Sequence, residues 1–128
     1  MPVRIYPTVA EAIETHRLLI EEFGGLQGIR DMGLLESAIF RPQNGYYNDL
    51  FEEASALMES LGNNHAFIDG NKRLSFTLTD VMLRVNGYFL DVDPLEAHNF
   101  ITNAMDNKEF RFPQIREWIS SIAKPIED

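Results

Sequence analysis

Nine consecutive residues, His65-Ala66-Phe67-Ile68-Asp69-Gly70-Asn71-Lys72-Arg73, put an imidazole, a carboxylate, a glycine, a side-chain amide and two cations in one short stretch. Gly70 permits a tight or positive-φ backbone that brings amides close to a ligand. An apolar helical pattern follows at once, so the amides of Gly70 to Arg73 are the expected unpaired donors of a helix start. Those donors, with the positive end of the helix dipole, favour an anion. Lys72 and Arg73 add full positive charge, and an arginine can fork two phosphate oxygens. Asp69, itself an anion, suits such a site as a ligand of Mg²⁺, which is commonly shared between a carboxylate and substrate phosphates. His65 brings an imidazole, the side chain best suited to take a proton from an attacking hydroxyl. On spacing alone a second reading stands beside this one: a surface basic pair at a helix start, with His65 a structural histidine bonded to a backbone carbonyl.

The stretch resembles the signature of the Fic/Doc superfamily, H-x-F-x-[D/E]-G-N-[G/K]-R, at His65, Phe67, Asp69, Gly70, Asn71, Lys72 and Arg73; Ala66 stands where many members have proline. The likeness extends to Gly28-Ile29-Arg30-Asp31, Gly33-Leu34-Leu35-Glu36-Ser37-Ala38, Arg41-Pro42-Gln43 and Asn86-Gly87-Tyr88, which resemble the Doc ("death on curing") branch. The resemblance implies an all-α fold, a nucleoside triphosphate substrate such as ATP, Mg²⁺, and transfer onto a protein hydroxyl. Nucleotidylating members carry glycine where Lys72 stands, and a second arginine three residues after the motif arginine, where this chain has Phe76. An aromatic ring cannot hold a γ-phosphate. The Doc arrangement therefore implies transfer of the γ-phosphate to a serine or threonine, with elongation factor Tu the family's known target. An AMP transferase using the same site is the rival enzyme. A non-catalytic nucleotide- or peptide-binding module is the other alternative, and His65, Asp69 and Arg73 together argue against it, because a scaffold needs no base.

Self-inhibited Fic proteins carry [S/T]-x-x-x-E-[G/N]. The near misses are Ser55-x-x-x-Glu59-Ser60 and Thr102-x-x-x-Asp106-Asn107, both read as ordinary helix surface. A toxin of this kind is then restrained by a separate antitoxin, a short segment folding as a helix across the cleft.

The elements that position the motif read as helices joined by short loops. Thr8 and Glu11 form a capping box ahead of an apolar stripe through Val9, Ala12, Ile13, His16, Leu19, Ile20 and Phe23, stopped by Gly24-Gly25. Asp31 caps a second helix ending before Pro42. Gln43–Asn48 is a connector in which Asn44-Gly45 suits a small flap-like hairpin or loop that could align a target peptide. Asp49 opens a third helix, broken by Gly62-Asn63-Asn64. The fourth, from Asn71 to about Val85, is apolar on most sides and reads as the central buried helix. Tyr88–Val92 is a short extended piece. Asp93-Pro94 starts a fifth helix, and Pro113 a sixth that ends at Lys124-Pro125. With 128 residues, 45% hydrophobic, the expectation is one domain over residues 1–128, all-α as the resemblance implies.

Composition narrows the partners. A net charge of −9, from 11 basic and 20 acidic side chains, argues against a general nucleic-acid surface. The absence of cysteine excludes disulfides and thiolate zinc sites and is compatible with the cytoplasm. No signal peptide or membrane span is expected. His16 and His98 read as structural rather than catalytic, and Glu21-Glu22 and Glu52-Glu53 as mostly solvated faces. Asp91 and Asp93 read as a strand end and a helix cap. Tyr46 and Tyr47 are as suited to simple packing as to docking a peptide.

Overall fold

The computed structural model describes residues 3–127. Six helices carry the fold: α1 (Val9–Phe23), α2 (Met32–Phe40), α3 (Leu50–Asn63), α4 (Asn71–Arg84), α5 (Pro94–Asp106) and α6 (Phe112–Ile122). A 3-10 turn, Arg41–Gln43, follows α2, and two three-residue strands, β1 (Tyr88–Leu90) and β2 (Ala123–Pro125), pair antiparallel with Phe89 opposite Lys124. The fold is all-α apart from this ribbon. Among the described residues, no helix is long and apolar enough to cross a membrane.

Capping chemistry sets the helix starts. Thr8 accepts from the Glu11 amide while Glu11 returns a bond to the Thr8 amide, a complete capping box. Asp31, Asp49 and Asp93 each accept from amides of the first turn of α2, α3 and α5. At the far end of α4, Asn86 makes a two-way amide pair with the backbone of Ile5, fastening the segment before α1.

The core is centred on a helix pair rather than on α4 alone. Nine of the fourteen residues of α3 are buried, several of them small (Ala54, Ser55, Ala56, Ser60, Gly62). Small side chains let α4 approach closely, and the α3–α4 contact is the most extensive in the molecule. Gly62 lies inside the last turn of α3 and does not break it. A Cβ there would meet the Phe110 ring at 2.5 Å, so the glycine is required by packing.

One further local expectation is corrected. Residues 123–125 leave α6 and become β2, which gives the short β1 a hydrogen-bonding partner; no alternation in three residues ending in proline announces a strand. Of the hairpin or loop expected over Gln43–Asn48, the loop is what forms, without strand pairing. Asn44 takes φ −82° and ψ 0°, not a type I′ geometry, and its side chain accepts from the Tyr46 amide at 2.9 Å.

Candidate active site

The motif loop leaves α3 and enters α4 under constraints from three directions. From the Gly28–Asp31 segment, the amides of Arg30 and Asp31 both donate to the Ala66 carbonyl (2.8 and 3.0 Å), and the Ile68 amide donates to the Gly28 carbonyl (3.1 Å). The Arg30 side chain crosses the same gap and donates to the carbonyls of His65 (2.6 Å) and Asn64 (3.1 Å). From within α4, Asn71 grips Phe67 twice, accepting from its amide and donating to its carbonyl. From α1, buried His16 stacks on the Phe67 ring with centroids 3.8 Å apart. The His16 Nε2 lies 2.7 Å from the Asp69 carbonyl oxygen. A carbonyl only accepts, so this contact requires the tautomer with hydrogen on Nε2.

These ties determine what is left for a ligand. Gly70 caps α4 at φ 75°, a left-handed conformation that calls for glycine; a Cβ there would lie 2.9 Å from Ile20 Cδ1, the mobile end of that side chain. No side chain caps this helix start. Its first free amides, on Asn71, Lys72 and Arg73, have no partner one turn earlier and remain for an anion. Asp69 is held by the Leu26 amide on one oxygen and the Gly70 amide on the other, each at 3.1 Å. Carboxylate oxygens keep further lone pairs after one such bond. Among the described residues neither Lys72 nor Arg73 takes part in an ion pair. The Arg73 guanidinium lies over the Phe23 ring at 4.0 Å.

All six residues singled out from the sequence, His65, Asp69, Gly70, Asn71, Lys72 and Arg73, line one open cleft of about 450 Å³. Two details differ from expectation. The Asn71 side chain is spent on Phe67, so its contribution to an anion site is its main-chain amide. His98, discounted in the sequence, lies in the wall of this same cleft. His16 is structural as expected, but what it supports is the loop itself.

Glu59 is the clearest correction outside the cleft. It is not helix surface: one oxygen pairs with Arg41 at 2.7 Å and the other accepts from the Phe112 amide at 2.6 Å, supporting the start of α6. Arg41 also donates to the Tyr47 hydroxyl and to Ser60. Burial by itself would lower the Arg41 pKa, but the hydrogen bonds to Glu59 and Tyr47 raise it above the ordinary arginine value. Glu53, read as solvated, is half-buried in an ion pair with Arg4 at 2.8 Å, and Glu52 accepts from the Asn48 amide. Tyr47 packs on Phe112, whereas Tyr46 is 82% exposed.

Among the described residues no three His, Cys, Asp or Glu side chains converge as a metal cage. The donor set fits a cation that takes one carboxylate plus ligand phosphates and water, which is the habit of Mg²⁺.

Comparison with known proteins is consistent with this geometry. A sequence model described as the Fic/DOC family matches residues 6–83, from the segment before α1 to the end of α4. The chain is 42% identical over 76 residues to a protein named Toxin Doc from Mycolicibacterium smegmatis, covering 56% of this chain and 58% of that protein. It is 35% identical over 81 residues to Protein kinase doc of Escherichia phage P1, covering 60% of this chain and 64% of that protein. The alignment thus spans less than two thirds of either relative.

Proposed function

The chain belongs to the Fic/DOC family, and on that premise we propose that it transfers the γ-phosphate of a nucleoside triphosphate to a serine or threonine hydroxyl of a target protein. The observation that carries this reading is the convergence of the His65 ring, the Asp69 carboxylate, two unpaired cations and the open amides of α4 in one cleft. In the step proposed, His65 accepts the proton of the target hydroxyl, and the hydroxyl oxygen bonds to the γ-phosphorus. The bond from that phosphorus to the bridging oxygen breaks, and the nucleoside diphosphate leaves with the electron pair. Negative charge spreads over the transferring group, and the Asn71–Arg73 amides, Lys72 and Arg73 are the groups that would stabilise it. Asp69 is the residue that would hold Mg²⁺, whose role when bound is to neutralise phosphate charge.

Phe76 supports phosphate over AMP transfer. It packs partly buried beside Trp118, so the turn of α4 beyond Arg73 offers no second cation for a distal phosphate. The names of the two relatives support a toxin-type kinase, and a toxin of this kind is held in check by a separate antitoxin protein. The Gln43–Asn48 connector, with Tyr46 exposed at its tip, is the proposed guide for the target peptide.

The test is label transfer. Incubation of the chain with elongation factor Tu, and separately with a bacterial lysate, should move label from γ-³²P-ATP but not from α-³²P-ATP onto a protein band. Transfer of the α-label would instead establish an AMP transferase. Label on no band in any condition would remove the enzymatic reading.

A further inference from the structure

The chain contains two Asn-Gly pairs, Asn44-Gly45 in the connector after α2 and Asn86-Gly87 at the end of α4. Such a pair carries a chemistry of its own. The amide nitrogen of the glycine can attack the side-chain carbonyl carbon of the asparagine, because no Cβ obstructs the approach. The attack needs a carboxamide free to turn toward that nitrogen, and an amide whose N–H is not committed elsewhere. The transfer mechanism above uses neither pair.

Room does not separate the two pairs. Both glycines are exposed, at φ 79° and 95°, and nothing lies within 4 Å of where a Cβ would stand. Hydrogen bonding does separate them. The Asn86 carboxamide is fixed three times: its oxygen accepts from the Ile5 amide at 3.0 Å, and its nitrogen donates to the carbonyls of Ile5 and Met82, both at 2.7 Å. The Gly87 amide, which would be the nucleophile, donates to the Arg84 carbonyl at 3.3 Å. Asn44 is exposed, and its side chain has a single tie, accepting from the Tyr46 amide at 2.9 Å. Among the described residues the Gly45 amide donates to no group. The one tie that Asn44 has favours the attack, because an N–H on the carbonyl oxygen stabilises the negative charge that develops there.

We propose that Asn44-Gly45 is a site of spontaneous deamidation and main-chain rearrangement in the folded protein, and that Asn86-Gly87 is protected from it. The Gly45 nitrogen gives its proton to hydroxide and bonds to Asn44 Cγ. The Cγ–Nδ2 bond breaks, and the nitrogen leaves with the electron pair, taking a proton from water to become ammonia. The product is a cyclic succinimide, which water then opens. Attack at Cγ restores the original chain with aspartate at position 44. Attack at the main-chain carbonyl carbon leaves the chain running through Cβ and Cγ, an isoaspartate. No oxidant or reductant enters. Residues 43–48 carry no charged side chain, so either product gives the connector its first charge. The isoaspartate also lengthens the main chain by a methylene just before Tyr46, the exposed tip of the connector. Its free α-carboxylate is the chemical class that isoaspartyl methyltransferases accept.

The experiment ages the full chain in mildly alkaline buffer, folded and in urea, and follows both Asn-Gly peptides by mass spectrometry after digestion in acid, which halts the reaction. In the folded protein the Asn44 peptide should gain one mass unit at least about tenfold faster than the Asn86 peptide, whose conversion waits for the end of α4 to open. Urea should bring the two rates together. Part of the Asn44 product should take a methyl group from S-adenosylmethionine when an isoaspartyl methyltransferase is added, which separates opening of a succinimide from direct hydrolysis of the side chain. Equal rates in the folded chain, or an Asn44 that stays intact over the time in which the unfolded chain converts, would overturn the proposal. So would a product that is aspartate alone.

Discussion

Around Glu59, an arginine, a carboxylate, a tyrosine and a serine close on one another. Arg41 reaches Glu59, Tyr47 and Ser60, and the second Glu59 oxygen is taken by the Phe112 amide. At the start of α4 a similar set, Asp69, Lys72, Arg73 and His65, is arranged in the opposite way. There most ties run through the main chain, to Ala66, Phe67 and the carbonyls of His65 and Asp69; the Asp69 carboxylate accepts only from the Leu26 and Gly70 amides, and among the described residues Lys72 and Arg73 form no ion pair. Residue type does not separate the two clusters, because both mix charge with hydrogen-bonding groups next to a helix terminus. What separates them is whether the donors and acceptors are used up. A polar cluster that satisfies itself contributes stability; one whose backbone is held from outside while its charges stay unpaired is prepared for a ligand.

The largest effect should come from the prepared cluster and appear in rate alone. His65 is exposed and sits at φ 53°, a conformation asparagine tolerates, so His65→Asn removes the base with little backbone strain. Transfer should fall by about two to four orders of magnitude while the melting temperature holds. An unaltered rate at saturating substrate means the proton goes elsewhere.

Glu59→Ala is the mirror image. Arg41 loses its carboxylate and α6 loses a partner for its first amide. The expected cost is about 2–3 kcal/mol in denaturant unfolding, with the rate per folded molecule unchanged. Glu59→Gln, which keeps one acceptor, should cost less. A Glu59 variant that stays stable but loses transfer would show that the connector and the cleft are coupled and that the two clusters are not separate.

How far these clusters could be read from the sequence follows the same division. Helix starts were legible because the cap and its amide lie within three residues, as at Thr8 with Glu11 and at Asp31 with Leu34. The six cleft residues were legible because they are nearly contiguous. His16 and Glu59 were not, since each finds its partner 53 residues away, at Asp69 and Phe112. Such partners are chosen by the approach of packed helices, and no local pattern encodes them. The same holds for β2, whose three residues acquire strand geometry only by lying beside β1, and for His98, which reaches the cleft wall through the packing of α5.

His16 tests whether support of the loop can be separated from its chemistry. His16→Ala leaves the Asp69 carbonyl without its donor and uncovers the Phe67 ring, at a cost of about 2 kcal/mol. Because Asp69 then loses its fixed orientation, Mg²⁺-dependent ATP affinity should drop as well, while Mg²⁺-free binding changes little. His16→Gln, whose amide can donate to the same carbonyl, should recover part of both. Loss of stability with metal-dependent binding intact would reduce His16 to a packing residue.

Arg30 should give the smallest loss of stability and the sharpest division between the two clusters. Its guanidinium holds the carbonyls of His65 and Asn64 from the surface, where water can replace it, so Arg30→Ala should cost no more than about 1 kcal/mol. The main-chain bonds from Arg30 and Asp31 to Ala66 survive the substitution, and the groups at the α4 start are not touched, so under the proposed function the KM for ATP should stay put. What changes is the freedom of the His65 backbone. A displacement of about 1 Å can cost a hundredfold in rate, and a partly retained loop should lose about tenfold in kcat. Arg30→Lys should fall between, because a single ammonium cannot serve two carbonyls with the geometry of a planar fork. A drop in stability as large as that of Glu59→Ala would place Arg30 among the self-satisfied groups. An unchanged kcat would mean that the His65 orientation is set within the motif and owes nothing to the segment that crosses it.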